Sequence, residues 1–244
     1  MDNAIYVGLS RQLTLQRQLD ISANNLANVD TAGFKVEQLM LQTDPLRPQT
    51  GRSRLDPIKY VLDDGVARHF TPGALEQTGG TYDLAVEGDG FFQVRTAQGV
   101  RYTRDGRFTL DAQNRLTTQA GDPVLDDGGS EITLDPQRGE PSIAKTGQIS
   151  QRGAPGSKVG VMRFANLSGL SKAGNELFTS PETPVAAPDA GVRQGFIEKS
   201  NVQPVLEVSH LIEITRTYER IASMLNSTHE LSRQAVQRLG RVAA

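Results

Sequence analysis

Apolar residues near both ends of the chain recur with the three- and four-residue spacing of an α-helix. Near the N-terminus the repeat runs through Ile5, Leu9, Gln12, Gln16, Leu19, Ala23 and Leu26. Near the C-terminus it runs through Leu211, Ile214, Tyr218, Ile221, Leu225, Thr228, Ser232, Ala235 and Leu239. Positions three and four residues apart share one face of a helix, so each repeat predicts a helix with a single stripe.

The C-terminal repeat covers about four heptads, a length typical of a coiled coil. The N-terminal repeat contains two glutamines and would be weak without a partner helix. We therefore predict that helices over about 1–28 and 204–240 pack against each other. The alternative is that each is an ordinary helix packed on its own domain.

Between the two repeats, apolar residues alternate over short segments that are separated by turn residues. The segment TYDLAVEGDGFFQVR, residues 81–95, contains the predicted turn Gly88–Gly90. The segment RYTRDGRFTLD, residues 101–111, predicts a β-hairpin with its turn at Asp105 and Gly106. Short strands with turns at this spacing indicate an antiparallel sandwich or a barrel-like domain.

These patterns predict an α+β fold in four parts. They are the N-terminal helix of an axial domain (1–33), an extended linker (34–69), a central antiparallel all-β domain (70–200) and the C-terminal helix of the axial domain (201–244). Segments 36–69 and 171–200 are rich in proline, glycine and polar residues, which favours extended connectors in both.

Composition narrows the class of protein. The 244 residues include 24 glycines and 12 prolines, and only 37% are hydrophobic, which favours many turns over one large helical core. A net charge of −2 gives no general attraction to nucleic acid. No run of about 18 apolar residues is present to span a bilayer.

The sequence contains no cysteine, so disulfides and thiol chemistry are excluded. Asp2 and the short apolar run after it predict that no cleaved Sec signal is present.

Residues that could carry chemistry do not form a recognisable constellation. The three histidines, His69, His210 and His229, lack the spacing of metal ligands. The run Asp126–Gly129 lacks the spaced ligands of a calcium loop, and Glu87–Gly90 leads into a strand rather than a helix, which argues against phosphate binding. We expect no catalytic residue, no cofactor, no metal site and no small-molecule substrate.

Three asparagines and a glycine lie where the N-terminal repeat ends. Asn24 and Asn25 still occupy helical positions, while Asn28 and Gly33 are residue types that tolerate left-handed backbone and can end a helix. We predict that Gly33 is a hinge between an axial helix and an outer domain. We also predict that the asparagine amides bond to neighbouring backbone in an assembly.

The segment ANNLANVDTAGFK, residues 23–35, resembles the signature of the flagellar basal-body rod and hook proteins. In that family a helix ends in Asn-Asn-Leu-Ala-Asn and is followed by Thr-x-Gly-Phe-Lys. Residues 87–94 and 102–111 are similar to the start of the family's central β domain. Residues 198–219 are similar to the start of its C-terminal helix. The matching pieces occur in the family's order over almost the whole chain.

The opening MDNAIY and the length favour a subunit of the proximal rod over its distal paralogue. Val208 and the pair Thr215-Arg216 depart from residues that relatives often carry. The alternatives are a distal rod or hook-type paralogue, or a secreted coiled-coil adhesin or scaffold. A carbohydrate enzyme built on the β domain would need a carboxylate pair in a cleft, and the sequence specifies none.

The resemblance implies a structural protein and not an enzyme. Its paired terminal helices would form a coiled-coil-like inner tube that stacks helically, with the β domain outside. It implies a rod that transmits motor torque through the periplasm, other proximal and distal rod proteins as partners, and export by the flagellar type III apparatus. The predicted assembly residues are Ile5, Leu9, Leu19, Asn24, Asn25, Leu26, Asn28, Leu211, Ile214, Tyr218, Ile221, Leu225 and Leu239.

Overall fold

The computed structural model describes residues 2–43, 61–152 and 154–242. The chain folds as two compact units. The helical unit comprises Met1–Ala27, Glu37–His69 and Gln203–Ala244, and the β unit comprises Asn28–Val36 and Phe70–Val202. The chain therefore passes from one unit to the other four times.

Two α-helices, two short 3-10 helices (Pro136–Arg138 and Leu167–Gly169) and seventeen strands occur in the described residues. The helices are α1 (Asp2–Ala27) and α2 (Pro204–Val242). The strands are β1 (Glu37–Thr43), β2 (Val61–Arg68), β3 (Leu75–Gln77), β4 (Leu84–Glu87), β5 (Phe91–Thr96), β6 (Gly99–Thr103), β7 (Thr109–Leu110), β8 (Leu116–Thr117), β9 (Ser142–Ile143), β10 (Gln148–Gln151), β11 (Ala154–Lys158), β12 (Val161–Arg163), β13 (Ser171–Lys172), β14 (Leu177–Thr179), β15 (Val185–Ala186), β16 (Gly191–Gln194) and β17 (Phe196–Glu198). The predicted α+β class, with a helix at each end and antiparallel strands between them, is confirmed.

The helices α1 and α2 contact each other within the helical unit. On α2 the predicted stripe is the half-buried face: Leu211, Ile214, Tyr218, Ile221, Leu225 and Thr228. The side chains of Ile5, Ser232, Ala235 and Leu239 lie outside the described residues. Pairing of the two helices as a coiled coil stays a prediction.

The buried face of α1 lies one residue before the predicted stripe. The buried positions on α1 are Gly8, Thr14, Leu15, Ser22 and Asn25, and the predicted positions that are exposed are Leu9, Gln16 and Ala23. A Cβ atom placed on Gly8 would come within 2.6 Å of Leu225 Cδ2, so the helices approach closely where α1 has no side chain. The small residues Gly8 and Ser22 are thus among those buried on α1, whereas the predicted stripe ran through the neighbouring Leu9 and Ala23.

Part of the segment predicted as a linker folds as a β-hairpin in the helical unit. Strands β1 and β2 are antiparallel, from Glu37 opposite Arg68 to Thr43 opposite Val61, with an irregularity between Met40 and Leu41. Because a lone two-stranded ribbon is marginal in water, its contacts with α1 are part of what holds it. The remainder of this linker, residues 44–60, lies outside the described residues.

The β unit is built around one antiparallel sheet of six strands in the order β13-β14-β6-β5-β12-β15. Smaller sheets have the orders β11-β10-β9, β16-β4, β17-β3 and β7-β8. One core cluster lies around Leu84, Phe92 and Ile132, and a second, mainly aromatic one lies around Phe91, Phe164 and Phe178. Five strands fall within 171–198, so the prediction of an extended connector in 171–200 is wrong. This segment supplies strands that pair with β4, β6 and β12.

The hairpin predicted around Asp105 and Gly106 does not form. Strand β6 pairs with β5 and β14, while β7 pairs with β8. The Asp105 carboxylate accepts a hydrogen bond from the Arg107 amide (3.0 Å), and Gly106 lies against the backbone of Leu84, where a side chain would collide with its carbonyl oxygen. These contacts turn the chain out of the six-stranded sheet.

Candidate functional site

Asn25 joins the end of α1 to the start of β1 within the helical unit. Its Nδ2 donates to the Glu37 carbonyl oxygen (2.8 Å), and its Oδ1 accepts from the Glu37 amide (2.9 Å). The amide group therefore satisfies both backbone groups of one residue, as a neighbouring strand would. Asn25 is 1% exposed, so its side chain is committed within the chain.

The other two asparagines have different settings. Asn28 follows the last residue of α1, and its carbonyl oxygen and Oδ1 accept from the amide and hydroxyl of Thr31 (3.2 and 3.1 Å). This arrangement ends the helix in a turn. Asn24 is exposed on α1, while Leu19 and Leu26 are half-buried. A role for Asn24, Asn25 and Asn28 in an assembly interface stays a prediction.

Gly33 makes a left-handed turn that is packed inside the β unit. Its φ is +71°, and a Cβ atom there would collide with the backbone of Arg104 and Asp105. Its amide donates to the carbonyl oxygen of Glu198 (2.8 Å). Gly33 adopts the left-handed backbone conformation predicted for it, but it does so in a buried turn that is fixed by a hydrogen bond. Its role as a hinge is not tested by this geometry.

A buried cluster of three charged residues follows that turn. Lys35 Nζ lies 2.5 Å from Glu198 Oε1, and Arg104 Nη1 lies 3.0 Å from Glu198 Oε2. The three side chains are 0, 2 and 1% exposed for lysine, arginine and glutamate. Desolvation lowers the pKa of the Lys35 ammonium, and the Glu198 carboxylate opposes that shift.

Sequence reasoning did not find this cluster. Lys35 and Glu198 both fall in segments that carry the family resemblance, yet 163 positions separate them. No local pattern pairs residues at such a distance, and the only signal was a charged residue inside each motif. Phe34, between Gly33 and Lys35, is fully buried, with Lys172 Nζ 4.7 Å from its ring centre.

Large apolar side chains are exposed on both helices. On α1 they are Tyr6, Leu9 and Leu13, and on the first turns of α2 they include Val205, Val208 and Ile212. Each set is spaced by three and four residues and so forms one stripe on its helix. Leu13 is 60% exposed and Val205 is 77% exposed. Stripes of this kind are unusual on a chain that functions alone.

The polar side chains considered above as metal ligands or catalytic groups make ordinary structural hydrogen bonds instead. Asp126 Oδ1 accepts from the amides of Gly128 and Ser130 (2.9 and 2.8 Å), as in an ordinary polar turn. His69 Nε2 lies 3.0 Å from Gln38 Oε1. Among the described residues, no group of three histidine, aspartate or glutamate side chains could hold a metal ion. No helix in the same residues is long and apolar enough to cross a membrane.

The chain has a helix at each end and a β unit between them, and three protein-family models match it in that order. The family model for a flagella basal body rod protein matches residues 5–35. The model for the D1 domain of the flagellar hook protein FlgE/F/G matches residues 85–151. The model for the C-terminal part of the flagellar basal body rod protein FlgEFG matches residues 193–238.

Similarity to individual proteins extends over the full length. The chain is 52% identical to the flagellar basal-body rod protein FlgF of Caulobacter vibrioides, covering 99% of this chain and 100% of that one. It is 33% identical to FlgF of Mesorhizobium japonicum, covering 98% and 99%. It is 30% identical to the rod protein FlgG of Bacillus subtilis, covering 97% and 98%. The chain belongs to the flagellar basal-body rod protein family.

Membership in this family settles the broad function. The chain is a structural subunit of the bacterial flagellar basal-body rod, and the prediction that it is not an enzyme is confirmed by the nature of its relatives. The higher identity to the Caulobacter FlgF sequence than to the Bacillus FlgG sequence favours the FlgF type.

Proposed function

We propose that the chain is a subunit of the proximal rod and that it assembles helically with copies of itself and with other rod proteins. The assembled shaft transmits motor torque through the periplasm. The observation that carries this proposal is the pair of exposed apolar stripes on α1 and α2. Helices of neighbouring subunits, which carry the same kind of stripe, are their proposed partners.

The stripe on α2 lies on the opposite side of the helix from the half-buried stripe. Ile212 is about 200° around the helix from Ile214, since successive residues are separated by about 100°. Val205 and Val208 share the side of Ile212, and all three are exposed. The helix therefore has one stripe turned toward its own unit and a second stripe available to another chain.

The outer stripe of α2 changes character along the helix. After Ile212 it continues through the exposed residues Arg216, Glu219 and Ser223. Apolar contacts near the start of α2 would contribute most of the buried area, and the charged residues beyond them would help to fix the register of neighbouring helices. Contacts between different surfaces of successive subunits give an open helical polymer rather than a closed ring.

Delivery of the chain is part of the proposal. The rod belongs to the basal body, so subunits have to reach the periplasm. We propose that the flagellar type III export apparatus carries this chain. In cells with an inactive export apparatus, the full-length chain should accumulate in the cytoplasm. Its appearance in the periplasm of those cells would contradict this part of the proposal.

The assembly proposal is tested with two substitutions on α2 in a strain that lacks the natural gene. Ile212→Asp should abolish rod assembly and swimming, while the purified chain keeps the melting temperature of the wild type because Ile212 is exposed. Leu225→Asp, on the half-buried stripe against Gly8, should block assembly and also lower the stability of the helical unit.

His210→Asp is the matched control. This residue is exposed, lies on the same helix and gains the same negative charge, but it is about 200° around the helix from Ile212, at an uncovered position on the side of the half-buried stripe. Normal swimming with Ile212→Asp, or loss of swimming with His210→Asp as well, would show that the outer stripe is not the interface. A density map of the basal body would then distinguish a proximal position from a distal one.

A further inference from the structure

Three segments of the β unit that lead to or from the helical unit are tied together beside one carboxylate. They are 33–36, 71–73 and 198–201, next to the crossings after Val36, after His69 and after Val202. The Lys35 ammonium donates to the Thr71 carbonyl oxygen (2.9 Å) as well as to Glu198. The Gly73 amide donates to Glu198 Oε1 (2.8 Å).

Asn201 adds a second set of ties among the same segments. Its Oδ1 accepts from the Val36 amide (2.8 Å), and its Nδ2 donates to the Thr71 carbonyl oxygen (3.1 Å). The Gly33 amide also donates to the Glu198 carbonyl oxygen. Each of the three segments is therefore hydrogen-bonded to both of the others. A displacement of one segment therefore strains the other two.

Arg104 connects these segments to the six-stranded sheet. It directly follows β6, its Nη2 donates to the Gly88 carbonyl oxygen (2.8 Å), and its guanidinium lies 5.1 Å from the ring centre of Phe91. Phe91 belongs to the aromatic core and to β5. The Glu198 carboxylate is thus held from the core of the sheet on one side and from the connecting segments on the other.

Burial of these three charges costs desolvation free energy, so the cluster is a poor choice for a contact that only stabilises the fold. Two cations and one carboxylate are almost fully buried, and apolar side chains of similar volume often give equal or greater stability at such positions. What charged, hydrogen-bonded groups add is a fixed geometry, because each has only a few directions in which it can bond. The cluster is better suited to holding the segments in one position than to raising stability.

We propose that Lys35, Arg104 and Glu198 form a latch that passes torque between the β unit and the helices. This inference rests on the proposed function as a torque-transmitting rod subunit. The latch binds the connecting segments to the sheet, so that a force on the helices reaches the β unit through three segments at once. Without it, the three segments would move separately.

Lys35→Met tests the latch in the full-length chain. Methionine keeps most of the lysine's length, leaves Glu198 paired with Arg104 and the Gly73 amide, and removes the tie to Thr71. Hydrogen exchange of the Gly33 and Val36 amides should rise at least tenfold, and by more than exchange of amides in β5 rises, although removal of one partner of a buried ion pair also lowers the melting temperature of the β unit. Swimming should be normal in dilute medium and should slow more than the wild type as viscosity is raised.

Lys145→Met is the matched control. It removes the same charge from the same unit, but its ion pair with Glu87 (2.9 Å) is at the surface, with the lysine 78% exposed. Exchange at Gly33 and Val36 and swimming at every viscosity should match the wild type.

Asn201→Ala is the second variant, and it leaves all three buried charges in place. It should raise exchange of the Val36 amide at least threefold and give a weaker slowing in viscous medium. This variant keeps the test valid if Lys35→Met destabilises the whole β unit.

Two results would overturn the latch. One is wild-type exchange at Gly33 and Val36 in both variants, and the other is faster exchange with swimming that slows with viscosity no more than the wild type. The proposed rod function fails separately, if a strain lacking the natural gene still assembles rods and swims. The failure of one is therefore distinguishable from the failure of the other.

Discussion

The side-chain amide of Asn25 is paired with the backbone of Glu37, bonding its carbonyl oxygen at 2.8 Å and its amide at 2.9 Å. The last turns of α1 therefore provide the first residue of β1 with the hydrogen bonds of a neighbouring strand. Only a side chain that both donates and accepts at this length can do so. This requirement accounts for an asparagine at the end of the helix without reference to any other subunit.

Asn25→Asp should weaken the helical unit. The aspartate has the same shape, but it loses the donor to the Glu37 carbonyl oxygen and places a buried negative charge against that oxygen. The free energy of unfolding should fall by about 1–3 kcal/mol, the cost of leaving a buried polar group unsatisfied. Urea unfolding followed by circular dichroism measures the change. Asn24→Asp, at an exposed position of the same helix, should change it by less than about 0.5 kcal/mol.

Gly33→Ala should destabilise the β unit far more than a comparable change elsewhere. Gly33 and Gly79 have nearly the same left-handed φ, +71° and +72°, but only Gly33 lies against backbone. For Gly79→Ala we expect the conformational cost alone, about 1–2 kcal/mol. Gly33→Ala adds a collision that the Asp105 backbone cannot relieve by a rotamer change. Equal losses of unfolding free energy in the two variants would contradict the packed turn.

Arg104→Lys should be costly although the charge is kept. The guanidinium bonds Glu198 and the Gly88 carbonyl oxygen at once, and a single ammonium on a shorter stem cannot reproduce that fork. We expect a loss of about 2–3 kcal/mol in the unfolding free energy, in line with the loss of a buried charge-assisted bond.

Arg193→Lys is a close control for that substitution. Arg193 also pairs with a glutamate, Glu87 at 2.7 Å, and also lies over an aromatic ring, that of Phe196 at 4.8 Å, but it is half exposed. An exposed pair contributes little, so the loss should stay below about 1 kcal/mol. A similar loss in both variants would show that burial of Arg104 is not what matters.

Raising the pH should increase the contribution of Lys35 to the stability of the folded state. The pKa of its ammonium is lowered from 10.5 by desolvation, although Glu198 opposes the shift. As pH rises toward 10.5, the folded chain releases this proton before the unfolded chain does. The unfolded state then binds more protons, so the Lys35 contribution to stability rises with pH.

The measurement compares the wild type with Lys35→Met in urea at several pH values between neutral and 10.5. The stability of the wild type relative to the variant should increase over that range. Burial raises the pKa of the Tyr102 hydroxyl, but this group is present in both chains and its effect cancels. A difference that stays constant with pH would mean that Lys35 titrates alike in the folded and unfolded states.

The two helices could be predicted because their periodicity is local. On α2 the half-buried stripe is the predicted one as far as Thr228. On α1 the predicted stripe ran through Leu9, whereas the contact with Leu225 is made at Gly8, which has no side chain. Close approach of two helices is a property of the pair, and neither sequence repeat shows it alone.

The errors in the β unit have the same origin. Asp105-Gly106 is a strong local signal for a hairpin, but Arg104 is drawn to Glu198 and Gly106 to the backbone of Leu84. Partners that lie about 20 to 100 positions away decide the path of the chain there. The family motif 23–35 was recognisable as a pattern, yet its buried contacts with Glu198 required the fold.

The pairing of β4 with β16 links residues that are about a hundred positions apart in the chain, Leu84 with Gln194 and Glu87 with Gly191. Strand β3 pairs with β17 in the same way, Leu75 opposite Glu198. A chain that emerges N-terminus first, from a ribosome or from a narrow channel, cannot close these sheets until nearly the whole β unit has come through. Closure of these sheets therefore waits until about 200 residues have emerged, and the earlier strands of the β unit stay without their partners until then.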